Sequence, residues 1–174
     1  IPNVKKEENK SENIKQEDVF YDIGANTGLI SNFAGQICST VVAFEPYPPN
    51  YIQLKKTLSD TPANIQTYKL ALADSEGKVD FSATGGTGQG TGSIGSGDIT
   101  VNKIRGDTII SQEELERPDI VKIDVEGAEG LVIDGMKDTL AGARRIYCEI
   151  IVKYTCQQTL QRLLRPMDGR RWNC

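Results

Sequence analysis

Short apolar runs alternate along the chain with stretches whose apolar residues follow helical spacing. The runs have the length and Val/Ile content of buried parallel strands and lie at 19–23, 41–44, 65–70, 120–125 and 145–152. Helical spacing follows three of them, at 27–38, 49–59 and 127–141. This alternation predicts an α/β fold with an open, mostly parallel sheet and helices on both faces.

Between the third and fourth strands the pattern changes. Residues 78–83 predict one strand of an added hairpin, and 99–104 another short strand. The intervening segment 84–97 is rich in glycine, which predicts a flexible loop able to act as a lid. Ser-Gln-Glu-Glu at 111–114 resembles a capping box, so we expect a brief helix to begin there.

The 174 residues fit one domain, which we place at 19–174. Residues 1–18 are charged with both signs and predict a mobile leader. No apolar run reaches the roughly 20 residues that span a bilayer, so we expect no membrane span. A net charge of −4 speaks against a nucleic-acid partner, despite a local cluster of arginines after residue 160.

The four cysteines show no CxxC pair and no zinc-like spacing, which favours reduced thiols and a cytoplasmic location. Histidine is absent from the chain. This excludes an imidazole base, a Ser-His or Cys-His nucleophile and a His-liganded metal. Acid–base chemistry must therefore depend on carboxylates, lysine, tyrosine or water.

The first strand ends in a turn with a nucleotide-binding pattern. Asp22 precedes Gly24, Asn26 and Gly28, which alternate where strand becomes helix, and Asn can replace a central glycine in the left-handed region. Glu45 follows 23 residues after Asp22, at the end of the next strand, where an acid binds ribose hydroxyls. An isolated glycine turn can be a plain strand–helix connection, but Glu45 strengthens the ligand-binding interpretation.

The spacing of this turn bears on the ligand. A pyrophosphate site favours G-x-G-x-x-G, whereas this turn is G-x-N-x-G preceded by Asp22. S-adenosylmethionine has no phosphate, and its sulfonium and ammonium groups suit an acidic strand end. The pattern therefore favours S-adenosylmethionine, with a nicotinamide-dependent oxidoreductase as the alternative.

A second acidic group follows the fourth strand. Asp124, Glu126 and Glu129 gather at the strand's carboxyl end, where open α/β sheets bind ligands. Helix capping on a solvated face explains these acids equally well. As site residues they could act as a base or hold a divalent cation, although we do not predict a metal.

Four ordered motifs together resemble the FkbM family of methyltransferases over residues 19–150. They are Asp-Ile-Gly-Ala-Asn-Thr-Gly at 22–28, Phe-Glu-Pro at 44–46, Ala-Leu-Ala-Asp at 71–74 and Lys-Ile-Asp-Val-Glu-Gly-Ala-Glu at 122–129. The resemblance implies a seven-stranded, Rossmann-like class I methyltransferase fold. It also implies methyl transfer from S-adenosylmethionine to a hydroxyl of a sugar, glycolipid or polyketide.

The resemblance also implies site residues. Those expected to contact the methyl donor are Asp22, Gly24, Ala25, Asn26, Gly28, Glu45 (for the ribose), Pro46, and Ala71 and Leu72 (near the adenine). Those expected at the acceptor site and in catalysis are Asp124, Glu126 and Glu149, with Asp124 as the first choice for the group that takes the hydroxyl proton.

The chain departs from the family pattern after Glu149, where too few residues remain for two further strands. We therefore expect the last strands to be missing in whole or in part. This leaves open a second alternative, a module that binds the nucleoside without catalysing transfer. The sequence identifies neither the acceptor molecule nor the oligomeric state.

Overall fold

The computed structural model describes residues 14–83, 92–94 and 99–149. Its elements, in chain order, are β1 (Val19–Ile23), α1 (Leu29–Gly35), β2 (Thr40–Phe44), α2 (Pro48–Thr57), β3 (Asn64–Tyr68), β4 (Ala71–Ala73), β5 (Gly77–Ala83), β6 (Gly92–Ile94), β7 (Ile99–Arg105), α3 (Gly106–Gln112), β8 (Ile120–Ile123), α4 (Glu129–Gly135), α5 (Lys137–Gly142) and β9 (Arg145–Cys148).

The main sheet has five strands in the order β3-β2-β1-β8-β9, and all four pairings are parallel. Every residue of β1 and β2 is buried, as expected for central strands covered on both faces. The predicted α/β fold, with a mostly parallel, Rossmann-like sheet, is confirmed.

Alternate residues of the central strands point to opposite faces and build two separate parts of the core. On one face, Phe20 and Val41 pack with Ala34 of α1, and Ala43 packs with Leu54 of α2. The opposite face is covered by α3, α4 and α5. Its buried cluster contains Tyr21, Ile23, Val42, Phe44, Val121, Ile123, Ile109, Val132 and Leu140.

A smaller sheet with strand order β4-β7-β5-β6 extends from this second face. β5 pairs antiparallel with both β6 and β7, which confirms the predicted hairpin strand at 78–83. Strand β6 lies within 84–97, so the prediction of one continuous loop is wrong at Gly92–Ile94, where pairing with β5 satisfies the backbone. The rest of 84–97, and with it the proposed lid, lies outside the described residues.

The predicted helix start at 111–114 is wrong. Helix α3 begins at Gly106, directly after β7, and ends at Gln112. Ser111 is therefore in its last turn, and Glu114 has a left-handed backbone (φ 51°) beyond its end. A capping box marks a helix start when apolar residues follow it. Here the buried apolar residues of the helix, Ile109 and Ile110, come before the pattern.

The single helix predicted at 127–141 is two helices, α4 and α5, separated at Met136. Met136 is fully buried and packs against Gly106. A Cβ added to Gly106 would lie 2.0 Å from the Met136 Cγ. The Asp107 carboxylate accepts the backbone N–H groups of Asp138 and Thr139 at 3.2 and 2.9 Å. This capping by a residue of α3 stabilises the start of α5, and the spacing of residues within 127–141 cannot predict it.

Helix α1 buries its small residues and leaves its large apolar residues exposed. Leu29, Ile30 and Phe33 are exposed, with Leu29 at 73% and Phe33 at 63%, and the small residues Ser31, Ala34 and Gly35 face the sheet. A Cβ on Gly35 would lie 2.3 Å from the Thr61 side chain, so close packing requires glycine here.

Most of the predicted leader, residues 1–13, lies outside the described residues, as do 150–174, where the last strands would fall. Asp18 is 2% exposed and pairs with Arg144 at 2.6 Å. Its burial shows that the final residue of the predicted leader is part of the folded core. The division into leader and domain otherwise stays a prediction. Within the described ranges, no helix is long and apolar enough to cross a membrane.

Candidate functional site

The candidate site lies where the chain order of the sheet reverses. From β1 the chain moves outward through β2 and β3, and it returns to the other side of β1 as β8. The carboxyl ends of β1 and β8 therefore feed connections that diverge, and open α/β sheets bind ligands at such a point, so we call this region the crevice. Residues 24–28 follow β1 at this edge, and residues 124–128 follow β8.

The turn after β1 has the backbone that the sequence pattern predicts. Gly24, Asn26 and Gly28 all have left-handed φ values, 78°, 53° and 88°. The N–H groups of Gly24 and Ala25 both donate to the Phe44 carbonyl at 3.0 Å, which fastens the turn to β2. The placement of Asn26 in the left-handed region is confirmed.

Gly24 also touches the opposite side of the crevice. A Cβ on this residue would lie 1.9 Å from the backbone oxygen of Asp124, far inside the range that real Cβ atoms occupy. At Gly28 a Cβ would lie 2.7 Å from Leu54 Cδ1. Close approach and positive φ therefore both require glycine at these two positions.

Glu45 is held at the end of β2 by the turn itself. It is 4% exposed, its Oε2 accepts the Asn26 N–H at 2.8 Å, and its Oε1 accepts the Tyr47 N–H at 2.9 Å. Burial raises the pKa of this carboxyl, while the two backbone hydrogen bonds and Lys122 partly oppose the shift. Because each carboxylate oxygen has two lone pairs, both oxygens keep capacity for a further donor such as a ribose hydroxyl.

Asp22 lies below the turn and is fully buried. Its Oδ2 accepts the Ser31 hydroxyl at 2.6 Å, and its Oδ1 lies 3.0 Å from Lys122 Nζ. Asp22 and Lys122 are direct partners in the β1–β8 register, so their side chains share one face. Lys122 Nζ also donates to the Gly24 carbonyl at 2.9 Å and lies 3.4 Å from Asp124 Oδ2.

The predicted acceptor-side residues lie at the ends of β8 and β9. Because Ile123 pairs with Cys148, Asp124 and Glu149 follow their strands at adjacent positions of the same edge. The Asp124 side chain is 35% exposed, Glu126 is half-buried, and Glu149 is exposed. Glu126 has a left-handed backbone, φ 53°.

Glu129 serves the loop rather than the crevice. It is buried, and its Oε1 accepts the Gly127 N–H at 2.8 Å at the start of α4. The capping interpretation of the acidic group thus holds for this residue. Among residues 14–80 and 99–149, no group of three or more acidic, cysteine or histidine side chains has an arrangement that could hold a metal.

The predicted adenine contacts lie next to the β2–β3 edge. The Glu45 N–H donates to the Tyr68 carbonyl, and the chain continues from there into β4. Ala71 packs in a small cluster with Tyr47, whereas the Leu72 side chain is buried in the main core. Pro46 is half-buried, between Glu45 and α2. Contact of these residues with a ligand stays a prediction.

Sequence reasoning missed Lys122, Ser31 and Tyr47 as site residues. Lys122 was visible only as part of a motif, and its contacts with Asp22 depend on the register of two strands 100 residues apart. The alternation Lys122-x-Asp124 did carry a usable signal, because residues two apart in a strand share a face.

Comparison with known proteins supports the assignment of the motifs at 22–28, 44–46, 71–74 and 122–129 to the FkbM methyltransferases. The family model described as the methyltransferase FkbM domain matches residues 22–163. The hexuronic acid methyltransferase AglP of Haloferax volcanii is 32% identical over 80% of this chain and 58% of its own length. The 2-O-methyltransferase NoeI of Sinorhizobium fredii is 30% identical over 78% of the chain and 64% of its own.

A third relative, the AMB antimetabolite synthetase AmbE of Pseudomonas aeruginosa, is 27% identical over 76% of the chain and only 8% of its own length. The chain thus spans about three fifths of AglP and NoeI and a small part of AmbE. No solved structure matches significantly.

Proposed function

The chain belongs to the FkbM methyltransferase family, and on that premise we propose that it transfers a methyl group from S-adenosylmethionine to a hydroxyl oxygen of a sugar, glycolipid or polyketide-type acceptor. The observation that carries the proposal is Glu45, a buried carboxylate fixed by two backbone N–H groups at the crevice. These two hydrogen bonds offset the cost of burying the charge, and each oxygen keeps a lone pair that can accept a ribose hydroxyl.

The donor side of the crevice fits the chemistry of S-adenosylmethionine. Glu45 would accept the ribose hydroxyls, and the left-handed turn at 24–28 would lie beside the ligand at the carboxyl end of β1. The fully buried Asp22 adds negative charge beneath a cationic ligand. When bound, the donor supplies an electrophilic methyl group on its sulfonium.

On the acceptor side, a carboxylate would take the proton of the attacking hydroxyl. Asp124 is the best placed, because it directly follows β8, next to the donor turn, and is partly exposed. Its Oδ2 lies 3.4 Å from Lys122 Nζ. Glu126 and Glu149 would border the acceptor.

The charges at this edge favour a neutral acceptor over an anionic one. The names of the two relatives differ here, because one acts on a hexuronic acid and the other is a 2-O-methyltransferase. In this chain the carboxylates of Asp124 and Glu149 follow β8 and β9, and Lys122, which lies 3.4 Å from Asp124, is shared with Asp22. A uronate carboxylate would meet like charge, whereas a hydroxyl would find a proton acceptor.

A ligand panel tests the proposal. S-adenosylmethionine and S-adenosylhomocysteine should each raise the melting temperature, since ligand at a hundredfold excess over Kd adds about 2.7 kcal/mol of stability, and NADH should not. Stabilisation by NADH alone would favour the oxidoreductase. The second arm incubates the protein with labelled S-adenosylmethionine and either methyl glucopyranoside or methyl glucuronide, and we expect label in the neutral glycoside only.

Donor binding without transfer to any hydroxylated acceptor would favour the non-catalytic module. Transfer to the uronate alone would overturn the acceptor assignment while leaving the donor assignment intact. The proposed location is the cytoplasm, supported by the buried Cys38, whose thiol forms no disulfide.

A further inference from the structure

Lys122 carries a positive charge and lies between the two sides of the crevice, the end of β1 and the end of β8. Its Nζ reaches three oxygens: Asp22 Oδ1 at 3.0 Å, the Gly24 carbonyl at 2.9 Å and Asp124 Oδ2 at 3.4 Å. The first two belong to the proposed donor side and the third to the acceptor side. The side chain is only 17% exposed, so water screens these contacts weakly.

The backbone places Lys122 there independently of its side-chain contacts. Register sets it beside Asp22, and strand alternation sets Asp124 on the same face two residues later. Gly24 packs directly on the Asp124 carbonyl, so the donor turn and the end of β8 are in contact beneath the crevice. The cation is thus built into the junction of the two sides.

From this geometry we propose that Lys122 is a positioning residue that balances the charge of the crevice and thereby sets its preference between the sulfonium donor and the neutral thioether product. This inference rests on the proposed function. With Lys122 present, the two acids Asp22 and Asp124 share one positive charge, and the crevice attracts a second cation less strongly. Lys122 disfavours the charged ligand more than the neutral one, a difference that favours transfer.

The test is isothermal calorimetry with S-adenosylmethionine and S-adenosylhomocysteine, from which the ratio of their affinities is taken. Lys122→Met removes the charge and keeps an apolar stem, and we expect the ratio to shift toward the charged donor by about threefold or more. Lys122→Arg keeps the charge and should leave the ratio within about twofold of the wild type. A purely structural role would lower both affinities together and leave the ratio unchanged.

Lys122→Met leaves Asp22 buried without its counter-charge and can therefore fail to fold. The same substitution in an Asp22→Asn background avoids a lone buried charge, and there the ratio should rise about threefold over that of Asp22→Asn alone. Arg144→Met is the matched control, because it also removes the cation from an ion pair with a buried aspartate, Asp18, which lies before the amino end of β1. It should leave the ratio unchanged.

An unchanged ratio in folded Lys122→Met, or in the double variant relative to Asp22→Asn, overturns this inference while the proposed function stands. Failure of the wild-type protein to bind either nucleoside overturns both.

Discussion

At the carboxyl ends of β1 and β2, the polar side chains are buried and already bonded, whereas at the ends of β8 and β9 they are half-buried or exposed. Asp22 and Glu45 are 0% and 4% exposed, and each accepts hydrogen bonds from fixed partners. Asp124 is 35% exposed, and Glu149 is more open still. The first side is organised before a ligand arrives, and the second is open to one.

This difference matches the two ligands in the proposed reaction. The donor is the same molecule in every turnover, so a rigid turn that fits it costs nothing in versatility. The acceptor is the variable partner, as the different names of AglP and NoeI illustrate. Charge at the second side, rather than a fixed set of hydrogen bonds, then provides the selection.

The largest expected effect comes from a matched pair of glycines, one on each side. Gly24 and Gly127 both have left-handed φ values, but an added Cβ meets Asp124 at 1.9 Å in the first and nothing within 4 Å in the second. Gly24→Ala should cost about 3 kcal/mol or more of unfolding free energy, and Gly127→Ala about 1–2 kcal/mol, as measured by urea denaturation. Equal losses of unfolding free energy would show that the turn at 24–28 is no more tightly packed than the loop at 124–128.

The next effect concerns catalysis on the acceptor side. With an acceptor that the wild-type protein methylates, Asp124→Asn should lower kcat by about 10²–10⁴-fold, the usual contribution of a general base. Its affinity for S-adenosylhomocysteine should change by less than about threefold, because the proposed donor contacts lie at the ends of β1 and β2. Glu149→Gln is the control, since its carboxylate lies at the same edge but is exposed. A kcat of Asp124→Asn within about threefold of the wild-type value would remove Asp124 as the proton acceptor.

The smallest effect is a pH dependence confined to the donor side. Burial raises the pKa of Glu45, so on acidification it protonates earlier than an ordinary glutamate and binds ribose hydroxyls less well. Affinity for S-adenosylhomocysteine should therefore fall as pH drops through that raised pKa. Calorimetry across pH 4–8 checks this, and Glu45→Ala should abolish this part of the dependence.

The raised pKa of Glu45 affects stability in the opposite direction from ligand affinity as pH changes. The folded state binds a proton at Glu45 more readily than the unfolded chain does, so its stabilising contribution is full below the unfolded pKa. That contribution is lost as pH rises through the raised, folded-state pKa. In the ligand-free protein, Glu45→Ala should remove this trend from the curve of unfolding free energy against pH, and an unchanged curve would contradict it.

Sequence patterns predicted the parallel sheet, its central strands and the donor turn because these features depend on local spacing. Continuous apolar runs indicate strands buried on both faces, and the alternation of Gly24, Asn26 and Gly28 predicts left-handed backbone that the structure confirms. The residue pattern also singled out Asp124 and Glu126, family resemblance added Glu149, and the roles of all three stay predictions.

What the sequence did not predict depends on contacts between distant residues. The break between α4 and α5 arises from Asp107, which caps a helix more than 30 residues away. The start of α3 and the exposed stripe of α1 depend on which face meets the sheet. The central position of Lys122 depends on the β1–β8 register, which periodicity within one strand cannot reveal.

The most direct test of the central claim is calorimetry of S-adenosylhomocysteine binding to the wild-type protein, Glu45→Ala and Glu149→Ala. The account predicts that the wild type binds, that Glu45→Ala loses about 1–3 kcal/mol of binding free energy, and that Glu149→Ala binds as the wild type does. Unchanged affinity in Glu45→Ala would contradict a donor site at the ends of β1 and β2.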